Sequence, residues 1–186
     1  MPVGVIHVEN SSRTAPSIIA VDTNVIHRAY IGKKPSAISL LGWLKRQGSV
    51  GILVPRVVNE LYHLFLVGEY ESQKSSYPQL ARPDGRISWV DVFMFNPNLV
   101  KNAVRTFQHF LTILERDQIM VFPVNGFAPC SPDEIDTLVL NAARRHLLDA
   151  TDAEILVEMN RAGIDAIASF DKDIRRAHTH IAIYTW

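Results

Sequence analysis

Apolar positions along the chain fall into two alternating textures. Short β-branched runs at Ser17 to Val21, Val50 to Val54, Ile119 to Val124, Asp165 to Ser169 and Ile181 to Tyr184 read as strands buried on both faces. Between them, apolar residues recur every three or four positions, the spacing of an amphipathic helix. The first helix follows Asp22-Thr23-Asn24 and runs to about Tyr30. The second starts at Ser36, repeats Ile38, Leu41 and Leu44 or Lys45, and stops at Gly48. Pro55 suits the first position of a third, whose stripe is Val57, Val58, Leu61, Leu64 and Phe65 down to Gly68. Asn96-Pro97 opens a long helix with Val100, Ala103 or Val104, Phe107, Phe110 or Leu111 and Leu114 on one face, up to Asp117. Ser131-Pro132-Asp133-Glu134 and Thr151-Asp152-Ala153-Glu154 both carry the Ser/Thr-x-x-Glu capping pattern and start two more, the second ended by Gly163. A short helix is expected from Asp171 to Ala177.

Strands separated by helices of this length imply parallel strands joined by right-handed crossovers. The expectation is one α/β domain spanning residues 1–186, a three-layer α/β/α arrangement around a central, mainly parallel five-stranded sheet. Two segments break the rhythm. Residues 1–16 carry Val3 to Val8 and then a polar, Pro-ended stretch, and read as an extension with room for one edge strand. Residues 68–96 are polar at first, turn at Arg82-Pro83-Asp84-Gly85 and end in an aromatic-rich run. They read as an insertion forming a hairpin or a folded-out arm.

Composition narrows the picture without redirecting it. The chain is 47% hydrophobic and 20% charged, as expected for a packed globular domain. Its 19 basic and 19 acidic residues cancel, so any nucleic-acid contact must come from local clusters rather than a global field. The single cysteine, Cys130, forms no internal disulfide framework or cysteine metal site, which suits a reducing cytoplasm. No apolar run approaches the roughly 20 residues needed to cross a bilayer, and residues 1–17 lack a signal-peptide pattern, so no membrane role is expected. The seven histidines show no HExxH spacing.

The chemistry concentrates in acids. Ligands of open parallel sheets bind beyond the carboxyl ends of the strands. Asp22 follows the first of these strands directly, and Asp171 lies two residues after Ser169, with Asp173 close behind. Glu60 sits early in the helix after the second strand, about 40° outside its apolar stripe. Asp152, in the first turn of its helix, projects into the arc made by Ala153, Ile155, Leu156, Val157 and Met159. Alone, Asp22 or Asp171 would serve equally well as a helix cap, Glu60 as a solvated residue and Asp152 as a favourable charge at a helix start. Asp173 is open between a metal ligand and a surface residue. Together the acids change the balance, because two carboxylates about 4 Å apart repel by roughly 4 kcal/mol at an effective dielectric near 20. Such a cluster needs a proton or a cation. An all-oxygen donor set suits a hard ion, Mg²⁺ or Mn²⁺, and metal-assisted attack on a phosphodiester is a common use of it.

The order IIAVDTNVI, Glu60 in VVNELYHL, Asp152 in DATDAEILVEMNRAGID and Asp171 in IASFDKDI resembles the PIN-domain family of metal-dependent ribonucleases, relatives of toxins of toxin–antitoxin pairs. The 19-residue spacing from Asp152 to Asp171 is similar to that of the family's last two acidic motifs. The resemblance implies that Asp22, Glu60, Asp152 and Asp171 are catalytic and hold one or two Mg²⁺ or Mn²⁺ ions. One ion would generate the hydroxide and the other would stabilise the leaving 3′ oxygen. Thr23, Asn24 and Ser169 would tune the ligands by hydrogen bonds, with Ser169 where the family more usually has Thr. The implied substrate is single-stranded RNA, with single-stranded DNA a further candidate, and a homodimer or an antitoxin-like partner fits the resemblance. The chain is longer than the compact toxins, and 68–96 has no counterpart in them.

Arg28, Lys33, Lys34, Arg144 and Arg145 are candidate contacts to substrate phosphates, as are Arg175 and Arg176. Tyr70, Tyr77, Trp89, Phe93 and Phe95 would stack on unpaired bases, or pack the insertion or a dimer contact. A second reading is a PIN-like module that binds nucleic acid or protein with weak or no cleavage.

Overall fold

The computed structural model describes residues 3–123, 126–127 and 129–186. The chain forms two compact units, Met1–Val58 with Glu115–Trp186, and Asn59–Leu114.

The first unit carries a six-stranded sheet, β1 (Gly4–His7), β2 (Ile18–Val21), β3 (Val50–Leu53), β4 (Ile119–Val121), β5 (Ala166–Ala168) and β6 (Ala182–Thr185), in the order β1-β6-β5-β2-β3-β4. Every pairing is parallel. The sheet has six strands where five were expected, because the N-terminal extension supplies a full edge strand. Gly4 to His7 pair in register with Ala182 to Thr185, and Ile6 is buried. Strand β4 ends at Val121, and Val124, expected to close it, lies outside the described residues.

Helices flank the sheet, consistent with a three-layer α/β/α arrangement: α1 (Thr23–Ile26), α2 (Pro35–Arg46), the first turn of α3 (Pro55–Gln73), α6 (Pro132–His146) and α7 (Ala150–Arg161). Burial of β2, β5 and β6 on both faces explains their unbroken apolar sequences; Ile19, Ile167 and Ile183 are fully enclosed. Full burial of each such side chain is worth about 1.5–3 kcal/mol. Helix α1 passes into a π-helical turn at His27–Ile31. Helix α6 begins with the expected reciprocal cap between Ser131 and Glu134.

Two local readings differ from expectation. Helix α2 buries Ala37, Leu40 and Leu44, whereas Ile38 is half exposed, so the packed stripe is offset from the expected Ile38-Leu41 register. Helix α7 is capped by Asp149 and not Thr151: the Asp149 carboxylate accepts the Asp152 backbone N–H at 2.9 Å. Thr151 is occupied elsewhere, its hydroxyl accepting from Arg56 Nη2 at 2.9 Å. Loss of an Asp cap destabilises by about 1 kcal/mol. Asp149→Ala should therefore lower the unfolding free energy by about that amount in urea titrations, and Asp149→Asn, which keeps the acceptor, should restore most of it.

The second unit contains the rest of α3, α4 (Trp89–Phe95) and most of α5 (Asn98–Arg116). Helix α3 continues through Gly68 to Gln73, past the expected stop. The expected hairpin is reduced to a single antiparallel bridge between Ala81 and Ile87 around the Pro-Asp-Gly turn. Val92, Phe93 and Leu99 form a small core, against which Leu66, Tyr70, Tyr77 and Ile87 pack. Tyr70 and Phe93 are thus packing residues here; Trp89 and Phe95 remain more than half exposed. No described helix is long and apolar enough to cross a membrane.

Candidate metal centre

The sheet order places the reversal of winding between β2 and β5. From β2 the chain proceeds outward to β3 and β4, then returns to the opposite side of β2 for β5 and β6. A crevice opens beyond the carboxyl ends of the strands at such a point. Asp22 follows β2 and Ser169-Phe170-Asp171 follows β5, so both segments meet there. The link is direct: the Asp22 backbone N–H donates to the Ala168 carbonyl at 3.1 Å. Helix α7 runs back toward the amino end of β5, which brings its first turn, with Asp152, to the same edge.

Asp22 is 4% exposed and Ser169 is fully buried. Although Asp22 occupies the cap position of α1, its side chain makes no capping bond. Its Oδ2 instead accepts from Asn24 Nδ2 and from the Ser169 hydroxyl, both at 2.5 Å. Ser169 Oγ accepts the Asp171 backbone N–H at 2.9 Å, and Asn24 Oδ1 accepts the Phe170 N–H at 3.0 Å. One serine and one asparagine thus tie the β2 acid to the turn that presents the next two. Asp171 Oδ1 in turn accepts the Asp173 N–H at 2.6 Å, folding the Asp-Lys-Asp segment back on itself.

Asp152, Asp171 and Asp173 each bring a carboxylate oxygen within 4.8 Å of the other two, close enough for one cation to bind all three. At that separation two bare charges repel by about 3 kcal/mol at an effective dielectric near 20. The strain falls on Asp152. Burial, then the charges of Asp149, Asp171, Asp22 and Asp173, push its carboxyl from 3.8 up to about 7. The donor set is all oxygen and anionic, so the residues fit a hard divalent cation and offer nothing to a soft one.

Raised folded-state affinity for a proton stabilises the protein fully below the ordinary value near 3.8, and that stabilisation is lost as pH rises through about 7. Without divalent cations, thermal melts should therefore show falling stability across this window. With Mn²⁺ the trend should reverse, because the ligands must be deprotonated to bind it. Asp149→Asn removes the like charge that most raises the Asp152 carboxyl and should move the pH midpoint of Mn²⁺ binding downward.

The frame around α7 is held by Arg56, in the first turn of α3. Its backbone N–H donates to Glu158 at 2.8 Å, Nη2 reaches Thr151, and Nη1 pairs with Glu154 at 3.3 Å. Arg28 lies with its guanidinium 5.1 Å from the centre of the Phe170 ring, at the acid turn. Lys33 and Lys34 are exposed between the π-helical turn and α2, and Arg144 and Arg145 are exposed in the last turn of α6. Arg176 is drawn to Asp173 at 2.7 Å, and Arg175 donates to the Thr185 hydroxyl at 3.3 Å. Thr23 is the half-buried first residue of α1. Glu60 lies on α3, half buried, within the second unit.

Asp173, left open by the sequence, is thus one of the three converging acids, while Asp22 joins them through Ser169. Asp149, Arg56 and Phe170 went unrecognised. Asp149 had a signal, an Asp three residues before Asp152, which the neighbouring Thr-x-x-Glu pattern obscured. Arg56 and Phe170 had none, since their contacts join segments far apart in sequence. Against protein-family models and curated proteins, the chain has no match.

Proposed function

We propose that the chain is a PIN-like, Mg²⁺- or Mn²⁺-dependent endoribonuclease that hydrolyses phosphodiester bonds of single-stranded RNA. The observation that carries this reading is the convergence of Asp152, Asp171 and Asp173 at the winding reversal of a parallel sheet, with Asp22 tied to them by Ser169. Asp152, Asp171 and Asp173 would hold the cation, Asp22 would complete its surroundings, and Glu60 is added on the sequence resemblance. A bound divalent ion supplies Lewis acidity toward a phosphoryl oxygen and a hydroxide-generating water at neutral pH.

The chain's own groups do the rest. Ser169 and Asn24 hold the Asp22 carboxylate in one orientation, so it need not reorganise when a ligand arrives. Asp152, near neutrality without metal, releases its proton on metal binding. Arg28, steadied over Phe170, offers a cation to the backbone of a strand entering an otherwise acidic crevice. Counterbalance of this kind is needed, because a cluster of carboxylates repels a polyanion.

The test is cleavage of end-labelled single-stranded RNA, with single-stranded DNA and duplex RNA alongside, in Mn²⁺, Mg²⁺ or EDTA. Metal-dependent internal cleavage of single-stranded RNA is expected. Cleavage that persists in EDTA would sink the mechanism. Metal binding with no cleavage of any substrate would favour the binding-module reading.

A further inference from the structure

A second site lies in the first unit, apart from the acid edge, between the sheet and α2. It is a cavity of about 340 Å³ with Val21 and Ile119 on its floor, Ile38, Leu41 and Gly42 on its wall, and Tyr30, Lys45 and Asp117 among its polar groups. This size and mixture, an apolar body with a few convergent polar atoms, is that of small-molecule sites.

Two features of α2 bear on it independently. Ile38 and Leu41 repeat at helical spacing as if for a core, yet the packed stripe is Ala37, Leu40 and Leu44; Ile38 and Leu41 line the cavity, next to Leu44. Gly42 stands in the interior of a twelve-residue helix, where glycine is destabilising relative to alanine. A Cβ there would meet only Arg46 Nη1, at 3.4 Å, so packing does not demand the glycine. Gly42 is itself one of the residues lining the cavity.

The polar groups restrict the ligand. The Tyr30 hydroxyl donates to Asp117 Oδ2 at 2.7 Å, and Lys45 Nζ donates to Asp117 Oδ1 at 3.1 Å. Burial first, then the Asp117 carboxylate, push the tyrosine upward, and the tyrosine hydroxyl is the main influence holding Asp117 low. The hydroxyl is thus neutral and the Lys45–Asp117 pair is closed, with no net charge. A cation would meet Lys45, an anion would meet Asp117, and either would lose hydration against the apolar floor. An ammonium has three donors, and Asp117 takes one of Lys45's. We propose that this cavity binds an uncharged small molecule with an apolar body and a carbonyl-type oxygen that accepts from Lys45.

Benzamide, with benzoate as its isosteric anion and benzylamine as a cation that lacks the carbonyl, tests this on the ¹⁵N-labelled full chain. Benzamide should shift the Gly42, Gly51 and Ile119 amides saturably and bind about tenfold more tightly than either charged analogue. Gly42→Leu, which fills the wall, and Lys45→Met, which keeps the stem but removes the donor, should each weaken benzamide about tenfold. Should Gly42→Leu fail to fold, Lys45→Met alone decides. No saturable shift at these amides, equal binding of a charged analogue, or full binding by a folded variant would each overturn the proposal. Because none of the readouts involves metal or RNA, failure of the nuclease assignment leaves this one standing, and the reverse.

Discussion

Asp22→Asn should abolish metal-dependent cleavage while leaving the protein folded. The substitution is nearly isosteric, and the new amide oxygen remains an acceptor for the Ser169 hydroxyl, which reaches Oδ2 at 2.5 Å. What disappears is a charge that is 4% exposed at the end of β2. Its loss has opposite effects on stability and chemistry. Stability is held or improved, since a buried anion is removed from beside other anions and Asp152 loses one of the charges that raise its carboxyl. Metal affinity and turnover should fall by more than the 10–100-fold typical of groups that only orient ligands, so a loss of at least about 100-fold is expected. Circular dichroism melts, Mn²⁺ calorimetry and RNA cleavage read the three quantities separately. A variant as active as the parent would remove Asp22 from the mechanism.

Asp22 also shows what made the site legible. A carboxylate directly after a doubly buried strand is a helix cap or a ligand, and the parallel-sheet rule, which converts strand order into proximity to the other acids, is what separates the two. That logic puts Asp22, Glu60, Asp152 and Asp171 on one edge; Asp152 and Asp171 converge with Asp173, Asp22 is joined to Asp171 through Ser169, and Glu60 belongs to the second unit. The rule needed only the period of the apolar pattern and the ends of the strands. The misses came where two local patterns competed or where the deciding contact was remote. Asp149 and Thr151 both offered a cap to α7, and the choice went to Asp149 because Thr151 faces Arg56, over 90 residues away in sequence. The Ile38-Leu41 row read as core since periodicity reports apolar faces, not what they face. Val3 to Val8 reads as an extension with room for one edge strand, and β1 is that strand; only the count of five omits it, because a four-residue edge strand carries little pattern of its own. Gly68 read as a stop, but Leu66 and Tyr70 on either side of it pack on the second unit's core and carry the helix through.

The second large effect is expected at Ser169, which joins the two halves of the acid cluster. Its hydroxyl donates to Asp22 and accepts the Asp171 N–H, and it is fully enclosed. Ser169→Ala leaves the buried Asp22 carboxylate without that donor and the Asp171 N–H without that acceptor. Asp22 keeps the Asn24 amide, so the main loss is one bond to a buried charge, worth about 1.5–3 kcal/mol, and urea unfolding should show a loss in that range. Mn²⁺ affinity should fall about 10–100-fold, the usual effect of removing a partner that orients a ligand. Ser169→Thr separates bonding from packing. It keeps the hydroxyl and adds a methyl to a site with no spare room, so stability should fall by about 1–3 kcal/mol while metal affinity stays close to that of the parent. If the alanine variant bound Mn²⁺ as well as the parent, Ser169 would be a core residue only, and the coupling of Asp22 to Asp171 would have to run through Asn24.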